Sequence, residues 1–150
     1  MGMEILIIVL GLILDRVTKI WALKDLCVNG DVVIIKNIFG FSYLENRGAA
    51  FGIFQNKVIV LSIVTTLVVL GMIYYLLKYK PASKFLRISL AMIITGAIGN
   101  LIDRYVYKFV VDFILVHYKD VYYFPTFNVA DMFVVVGTFL LALCILRNEI

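Results

Sequence analysis

Two aspartates stand among large apolar residues in the second half of the chain. Asp112 lies in the run Val-Val-Asp-Phe-Ile-Leu, and Asp131 is followed by Met-Phe-Val-Val-Val. Apolar surroundings raise the pKa of a carboxyl group, and two carboxylates that share a site cannot easily both ionise. One anionic and one neutral acid can activate a water and polarise a carbonyl. Such a pair can therefore hydrolyse a peptide bond without a metal or a covalent intermediate.

Asp103 is a second possible partner for Asp131. Arg104 follows it directly, and we expect this positive charge to keep Asp103 ionised and less able to share a proton. Asp112, taken alone, is equally compatible with a solvated loop acid. The residues therefore leave Asp103 and Asp112 both open as partners of Asp131, and the apolar neighbours favour Asp112.

Further polar residues recur at helical spacing in otherwise apolar segments. They are Asp15 with Lys19, Asn100 with Asp103, and Asn128 with Asp131. Residues three or four positions apart lie on one face of a helix, so we expect the members of each pair to face the same neighbour. Such pairs can serve helix packing alone. Ionisable residues at membrane depth are costly, however, and typically mark a functional site.

The sequence gives little support for a metal site, a phosphate-binding site or a catalytic nucleophile. No group of Cys and His has the spacing of zinc ligands, and there is no glycine-rich phosphate loop. No serine or cysteine comes with the histidine and acid that nucleophilic catalysis at membrane depth needs. The two cysteines, Cys27 and Cys144, are too few for a disulfide framework and are expected to be unpaired. We expect neither a metal nor another cofactor.

The composition is that of an integral membrane protein. Of the 150 residues, 63% are hydrophobic and 16% are charged, with a mean hydropathy of +1.03. Soluble domains contain about 45–50% apolar and about a quarter charged residues, so a soluble globular or disordered chain is excluded. The net charge of +4 reports membrane topology rather than nucleic-acid binding, because Lys and Arg set the orientation of membrane helices.

Four segments are candidates for spanning about 30 Å of hydrocarbon. They cover approximately residues 5–21, 58–77, 85–102 and 124–146. Lys and Arg are concentrated at 78–87, without an acid, which predicts a cytoplasmic connection there. Both termini are then cytoplasmic, and the connections 24–57 and 105–123 lie outside.

The first external connection contains two short runs typical of β-strands. Residues 32–35 and 39–43, separated by Lys36 and Asn37, predict a hairpin whose alternating aromatic residues would anchor it at the membrane surface. The predicted fold is an all-α membrane protein, with residues 1–150 forming a single domain of four transmembrane helices and a small extracytoplasmic β-type platform. The acids and amides would then gather toward the outer ends of the helices.

Five blocks of the chain, in order, resemble motifs of the bacterial lipoprotein signal peptidases, the signal peptidase II aspartyl proteases. The blocks are DRVTK at 15–19, NRGAAFG at 46–52, GNLIDR at 99–104, VDF at 111–113 and FNVAD at 127–131. Any one of them is a weak signal. Five in order, on a frame of four predicted spans, are a specific one.

The resemblance implies the reaction and the roles of the residues. The family removes the signal peptide from diacylglyceryl-modified prolipoproteins by cleaving before the lipidated cysteine, and it is a target of globomycin-type cyclic peptides. The partners implied are these substrates, such inhibitors and membrane lipids, and the location is the bacterial cytoplasmic (inner) membrane with the active site near its outer face. Asp112 and Asp131 would form the catalytic dyad. The residues that would support the dyad, the substrate or the fold are Asp15, Lys19, Asn46, Gly48, Asn100, Asp103, Arg104, Asn128 and Ala130.

Two functions from other classes compete with a protease. A proton-coupled transporter would also use intramembrane acids, although four spans without an inverted repeat argue against it. A non-catalytic assembly protein would use a stripe of small and polar residues on one helix face for helix association. The members of this stripe are Gly96, Gly99, Asn100 and Asp103. Cleavage of a lipidated precursor in detergent, without an ion gradient, would distinguish a protease from both.

Overall fold

The computed structural model describes residues 2–48, 57–119 and 121–147. Its long helices are α1 (Gly2–Trp21), α3 (Val58–Tyr79), α4 (Lys84–Tyr107) and α5 (Val129–Leu146). After α1 the chain continues through a wider π-helical turn, Ala22–Leu26, into the short helix α2 (Cys27–Asn29). Both cysteines are free thiols, as predicted.

The central helix of the fold is α4, which packs against α1, α3 and α5. A Cβ atom at Gly96 would overlap the carbonyl oxygen of Ala130, and one at Gly99 would lie 3.1 Å from the Cβ of Ala130. Small residues let helix backbones approach closely. The glycines of the stripe on α4 therefore serve packing against α5, while its polar residues remain available to the site.

Among the described residues, three helices are long and apolar enough to cross a membrane, namely α3, α4 and α5. Four spans are not confirmed, because α1 carries Glu4, Asp15, Arg16 and Lys19. The side chains of Glu4, Asp15 and Lys19 are buried, and Glu4 forms an ion pair of 2.7 Å with Arg87 near the start of α4. The span at α1 stays a prediction.

Four antiparallel strands form one sheet in the order β1-β2-β3-β4. They are β1 (Val32–Ile35), β2 (Phe39–Asn46), β3 (Val110–Tyr118) and β4 (Tyr122–Tyr123). The pairing of β1 with β2 confirms the predicted hairpin. The third strand is a correction, because residues 105–123 were expected to form only a connection, whereas β3 lies within them and pairs with β2.

Aromatic residues of β2 pack against the protein, while their expected role as anchors at the membrane surface stays a prediction. The ring of Phe41 lies 5.3 Å from that of Trp21 and 6.3 Å from that of Phe113. Tyr43 joins the same apolar cluster. The sheet is thereby fixed to the end of α1.

Helix α5 begins at Val129, whereas the predicted span began at residue 124. Phe127 instead forms an isolated bridge with Ile114 of β3, and Asn128 has an extended backbone with φ −136°. Asn128 is the N-cap of α5, and it forms a capping box with Asp131, the third residue of the helix. The expectation that these two side chains share one helix face was therefore wrong; they meet through the cap.

Candidate active site

Asp112 is a buried acid near the start of β3. It lies on β3 opposite Leu44 of β2, and its side chain is 1% exposed. Val110, Val111 and Phe113 around it are also buried, because this end of β3 packs against the cluster around Trp21. The alternative of a solvated loop acid is therefore excluded for Asp112.

Two asparagines donate hydrogen bonds to Asp112. Nδ2 of Asn46 lies 2.9 Å from Oδ2, and Nδ2 of Asn128 lies 2.6 Å from Oδ1. The other end of each amide accepts a backbone N–H, from Gly48 to Asn46 at 3.0 Å and from Asp131 to Asn128 at 2.9 Å. Because an N–H can only donate, these contacts fix each amide with its NH₂ group toward Asp112.

Asp131 lies in the first turn of α5 and is half-buried. Its Oδ2 accepts the backbone N–H of Asn128 at 3.1 Å, and its Oδ1 accepts Nδ2 of Asn100 at 2.8 Å. The positive end of the helix dipole favours a negative charge at this position. Asn128 thus bonds to both acids, since its side chain contacts Asp112 and its backbone contacts Asp131.

The charge of Asp131 affects the protonation of Asp112. Burial and, to a smaller extent, the negative charge of Asp131 raise the pKa of the Asp112 carboxyl from 3.8 to about 7, against the opposing effects of the hydrogen bonds from Asn46 and Asn128. Near neutral pH, Asp112 can therefore hold a proton or release it. A neutral acid beside an anionic one is the arrangement that water activation requires.

A buried ion cluster lies near these two acids. The ammonium of Lys19, which is fully buried, lies 3.1 Å from Asp15 and 2.9 Å from Asp103. The Asp15–Lys19 pair is thereby confirmed. Asp15 also accepts the backbone N–H of Ala130 at 2.9 Å, so it ties α1 to the first turn of α5.

Asp103 is held by cations of α1 rather than by Arg104, which corrects the expected partner. Its Oδ1 lies 2.8 Å from Arg16 and its Oδ2 lies 2.9 Å from Lys19. Consecutive residues on a helix point about 100° apart, so Arg104 faces away. The backbone N–H of Val111 also donates to Asp103 at 3.1 Å, which joins α4 to the start of β3.

Arg104 instead faces the connection between β2 and α3. Its Nη2 lies 3.5 Å from the carbonyl oxygen of Gly48, and its guanidinium is attracted by the charges of Asp112 and Asp131. Residues 49–52 of the NRGAAFG block lie outside the described residues. Arg104 is therefore a cation near Asp112 and Asp131 that is hydrogen-bonded to neither.

Arg16 is the site residue that the sequence analysis missed. It stands in the DRVTK block, but no role was given to it. The sequence did contain a signal for Arg16. Lys19 already pairs with Asp15, so a further cation in this apolar helix needs another acidic partner at membrane depth. That partner is Asp103, 2.8 Å away, and Arg16 also lies over the ring of Tyr107 at 5.9 Å.

The chain is similar to proteins of one family along almost its whole length. A family model described as signal peptidase (SPase) II matches residues 7–147. A lipoprotein signal peptidase of Clostridium novyi (strain NT) is 61% identical over 146 residues, which is 97% of this chain and 99% of the relative. One of Clostridium tetani (strain Massachusetts / E88) is 58% identical over 147 residues, 98% of this chain and 94% of the relative.

Solved structures agree with the fold. A structure described as a bacterial membrane enzyme matches with a TM-score of 0.90 at 30% identity, covering 99% of this chain and 90% of that chain. A second structure with the same description matches with a TM-score of 0.86 at 30% identity, covering 98% and 94%.

Proposed function

The chain belongs to the signal peptidase II family, the proteases that process lipoproteins, and on that premise we propose that Asp112 and Asp131 form its catalytic dyad. The observation that carries the proposal is the double role of Asn128. Its amide donates to Asp112 at 2.6 Å while its backbone N–H donates to Asp131 at 3.1 Å. One residue at a helix start thereby brings the two acids to one site.

The proposed reaction needs the two acids in different protonation states. The anionic acid removes a proton from water, and the oxygen of that water bonds to the carbonyl carbon of the peptide. The neutral acid donates a hydrogen bond and then its proton to the carbonyl oxygen, so the intermediate is a neutral diol. Collapse of the diol breaks the C–N bond. The leaving nitrogen takes the proton that the first acid removed from water, and a diol hydroxyl returns its proton to the second acid, which restores the two starting protonation states. No group on the enzyme is covalently modified.

Asp131 is the better candidate for the resting anion. It lies in the first turn of α5 with two N–H donors on its carboxylate, and a helix N-terminus favours negative charge. Asp112 is the better candidate for the neutral acid, because burial raises its pKa to about 7. The two roles exchange as the proton moves during turnover.

The proposed substrate is a prolipoprotein whose cysteine already carries a diacylglyceryl group, cleaved just before that cysteine. The wall of the molecule beside the site is apolar and exposed along α3 and α5, which suits acyl chains that remain in the bilayer while the scissile bond reaches the dyad. Globomycin-type cyclic peptides are the proposed inhibitors, and they would occupy the same site.

We propose that α1 is a fourth span in the bacterial cytoplasmic (inner) membrane. Its charged side chains face α4 and α5, and its opposite face exposes residues such as Leu6, Leu10 and Ile13 at 55–56%. A helix with buried charges and an apolar outer face is compatible with lipid. Both termini would be cytoplasmic, and the dyad would lie near the outer face.

Cleavage of a lipidated precursor by the purified full-length protein in detergent tests the proposal. Native protein should release the signal peptide, while Asp112→Asn and Asp131→Asn should not. Asp25→Asn, a change at an exposed residue of the π turn, is the matched control and should cleave normally. Turnover without an ion gradient would exclude a transporter and an assembly protein, and full activity of either dyad variant would overturn the assignment.

A further inference from the structure

A cationic cleft lies between the start of α3 and the end of α4, beside the proposed dyad. Its volume is about 640 Å³, and four of its lining residues are cations, namely Arg47, Lys57, Arg104 and Lys108. The remaining lining comes from the first two turns of α3, including Ile63, and from Tyr105. A cleft with charge at one side and an apolar wall at the other suits an amphiphilic ligand.

Three of these cations have no acidic partner among the described residues. Arg47 forms an ion pair of 2.8 Å with Glu45, but no described carboxylate lies within 4.0 Å of Lys57, Arg104 or Lys108. Residues 49–56, which precede Lys57 in the chain, contain no Asp or Glu. Lys57 and Lys108 therefore carry positive charge in the cleft that no described carboxylate pairs.

The position of Lys57 strengthens this point. It is the N-cap residue of α3, and no side chain in the described part of the chain caps that helix end. The first turn of a helix presents free N–H groups and positive partial charge, so a lysine there is unfavourable and an anion is favourable. Arg104 and Lys108 lie at the C-terminal end of α4, where the helix dipole favours positive charge. The dipole does not explain Lys57, because Lys57 lies at the N-terminal end of α3. A negative group in the cleft would satisfy all of these groups together.

We propose that this cleft binds the phosphate of an anionic glycerophospholipid, whose acyl chains lie along the exposed apolar face of α3. The diacylglyceryl group of the proposed substrate is uncharged, so it does not account for these cations. The lipid-facing residue Ile63 is 54% exposed and lies in the same cleft, which places acyl chains and phosphate at one end of one helix. In the proposed orientation the cleft lies at the outer side, where Lys and Arg are otherwise infrequent.

Native mass spectrometry of the full-length protein in neutral detergent tests this inference. The protein is titrated with phosphatidylglycerol and, separately, with phosphatidylcholine of the same acyl chains. The expected result is tighter binding of phosphatidylglycerol by native protein, and a loss of about 10- to 30-fold in Lys57→Gln/Lys108→Gln, since each removed lysine accounts for about fivefold. Lys24→Gln/Lys36→Gln, which removes two exposed lysines outside the cleft, should bind phosphatidylglycerol as native protein does.

Three outcomes would overturn the inference. Equal binding of the two lipids would show that charge is not recognised. An equal loss in the control variant would indicate diffuse surface attraction, and displacement of the lipid by inorganic phosphate at equal concentration would make the ligand a free anion. The measurement involves no turnover, and repeating it with Asp112→Asn keeps its result separate from that of the proposed catalytic function.

Discussion

The ammonium of Lys19 lies 2.9 Å from Oδ1 of Asn100, and this contact determines which end of the Asn100 amide faces Asp131. An ammonium only donates, so the NH₂ group of Asn100 must point the other way, where it lies 2.8 Å from Asp131. A residue of α1 thereby orients a donor for an acid of α5 through a side chain of α4.

Replacing Lys19 should therefore damage the fold and the site together. Lys19→Met removes the partner of two buried carboxylates, and breaking a buried ion pair on one side costs about 3–5 kcal/mol. We expect a large loss of thermal stability in detergent, measured by the loss of helical circular dichroism on heating. Lys24→Met, at an exposed position on the following turn, should unfold like native protein; equal stability of the two variants would contradict the buried cluster.

The pH dependence of activity should follow the pKa of Asp112, which burial and the charge of Asp131 raise to about 7. Below this pH the acid is neutral and able to donate, whereas above it both acids are anionic. We expect kcat/KM to fall as the pH rises through about 7. Asn46→Leu removes a hydrogen bond that stabilises the anion, so the alkaline limb should move to higher pH; a shift to lower pH would contradict the contact.

The same acid should affect stability with a definite sign. The pKa of Asp112 is higher in the folded protein than its ordinary value of 3.8, so the folded state binds more protons between these values. Its contribution to stability is present below about pH 4 and is lost as the pH rises through about 7. Asp112→Asn should reduce this slope in the unfolding free energy, measured across pH 4–8, and an unchanged slope would place the titration elsewhere.

Gly99 should not tolerate even a methyl group. A Cβ atom there would lie 2.6 Å from Oδ2 of Asp15 and 3.1 Å from the Cβ of Ala130, so Gly99→Ala would push apart α1, α4 and α5. Overpacking of this kind costs about 1–3 kcal/mol. At Gly71 of α3 nothing lies within 4 Å, so Gly71→Ala should be neutral or slightly stabilising. Thermal unfolding of both variants measures the difference.

The orientation in the membrane can be read from the connection between α3 and α4. In a variant with Cys27→Ser and Cys144→Ser, Ala82→Cys should react with an impermeant thiol reagent only after the cells are opened. Ala82 is exposed and lies just before Ser83, which caps α4. Labelling in intact cells would reverse the orientation and put the dyad on the cytoplasmic side.

Local sequence patterns predicted the long helices and the hairpin. The helices were predicted from apolar runs, and the hairpin was predicted from two short strand-like runs on either side of Lys36 and Asn37. The strand that carries Asp112 was not predicted, because its partner Leu44 on β2 is remote in the chain and no local pattern reports that pairing. Burial of Asp112 follows from this long-range contact.

The same distinction applies to the polar residues. The pairing of Asp15 with Lys19 is set by helix geometry and was predicted. The partners of Asp103 were not, because they depend on how α1 packs against α4, and the nearest charge in sequence, Arg104, points elsewhere. The spacing of Asn128 and Asp131 predicted that both lie on one helix face. Spacing does not show that Phe127 forms a bridge with Ile114 of β3. Because of this bridge, α5 begins only at Val129.

The choice between Asp103 and Asp112 as the partner of Asp131 is open to a direct test. Asp103 is held by Arg16 and Lys19 at 2.8 and 2.9 Å, so both of its oxygens are engaged by cations of α1. Asp112 is linked to Asp131 through Asn128 and carries no cation on its oxygens among the described residues. Replacing each of these two acids by asparagine should therefore have a different effect on cleavage.

We expect Asp112→Asn and Asp131→Asn each to reduce cleavage by about 10³-fold or more, while the variants still bind a globomycin-type peptide. Because members of one catalytic unit are strongly non-additive, the double variant should be no slower than either single one. Asp103→Asn should lower stability but leave measurable turnover, since it removes an ion-pair partner and no reacting group. Single-turnover cleavage assays on inhibitor-binding protein separate these effects. If well-folded Asp103→Asn is inactive while Asp112→Asn cleaves, Asp103 takes the catalytic role instead.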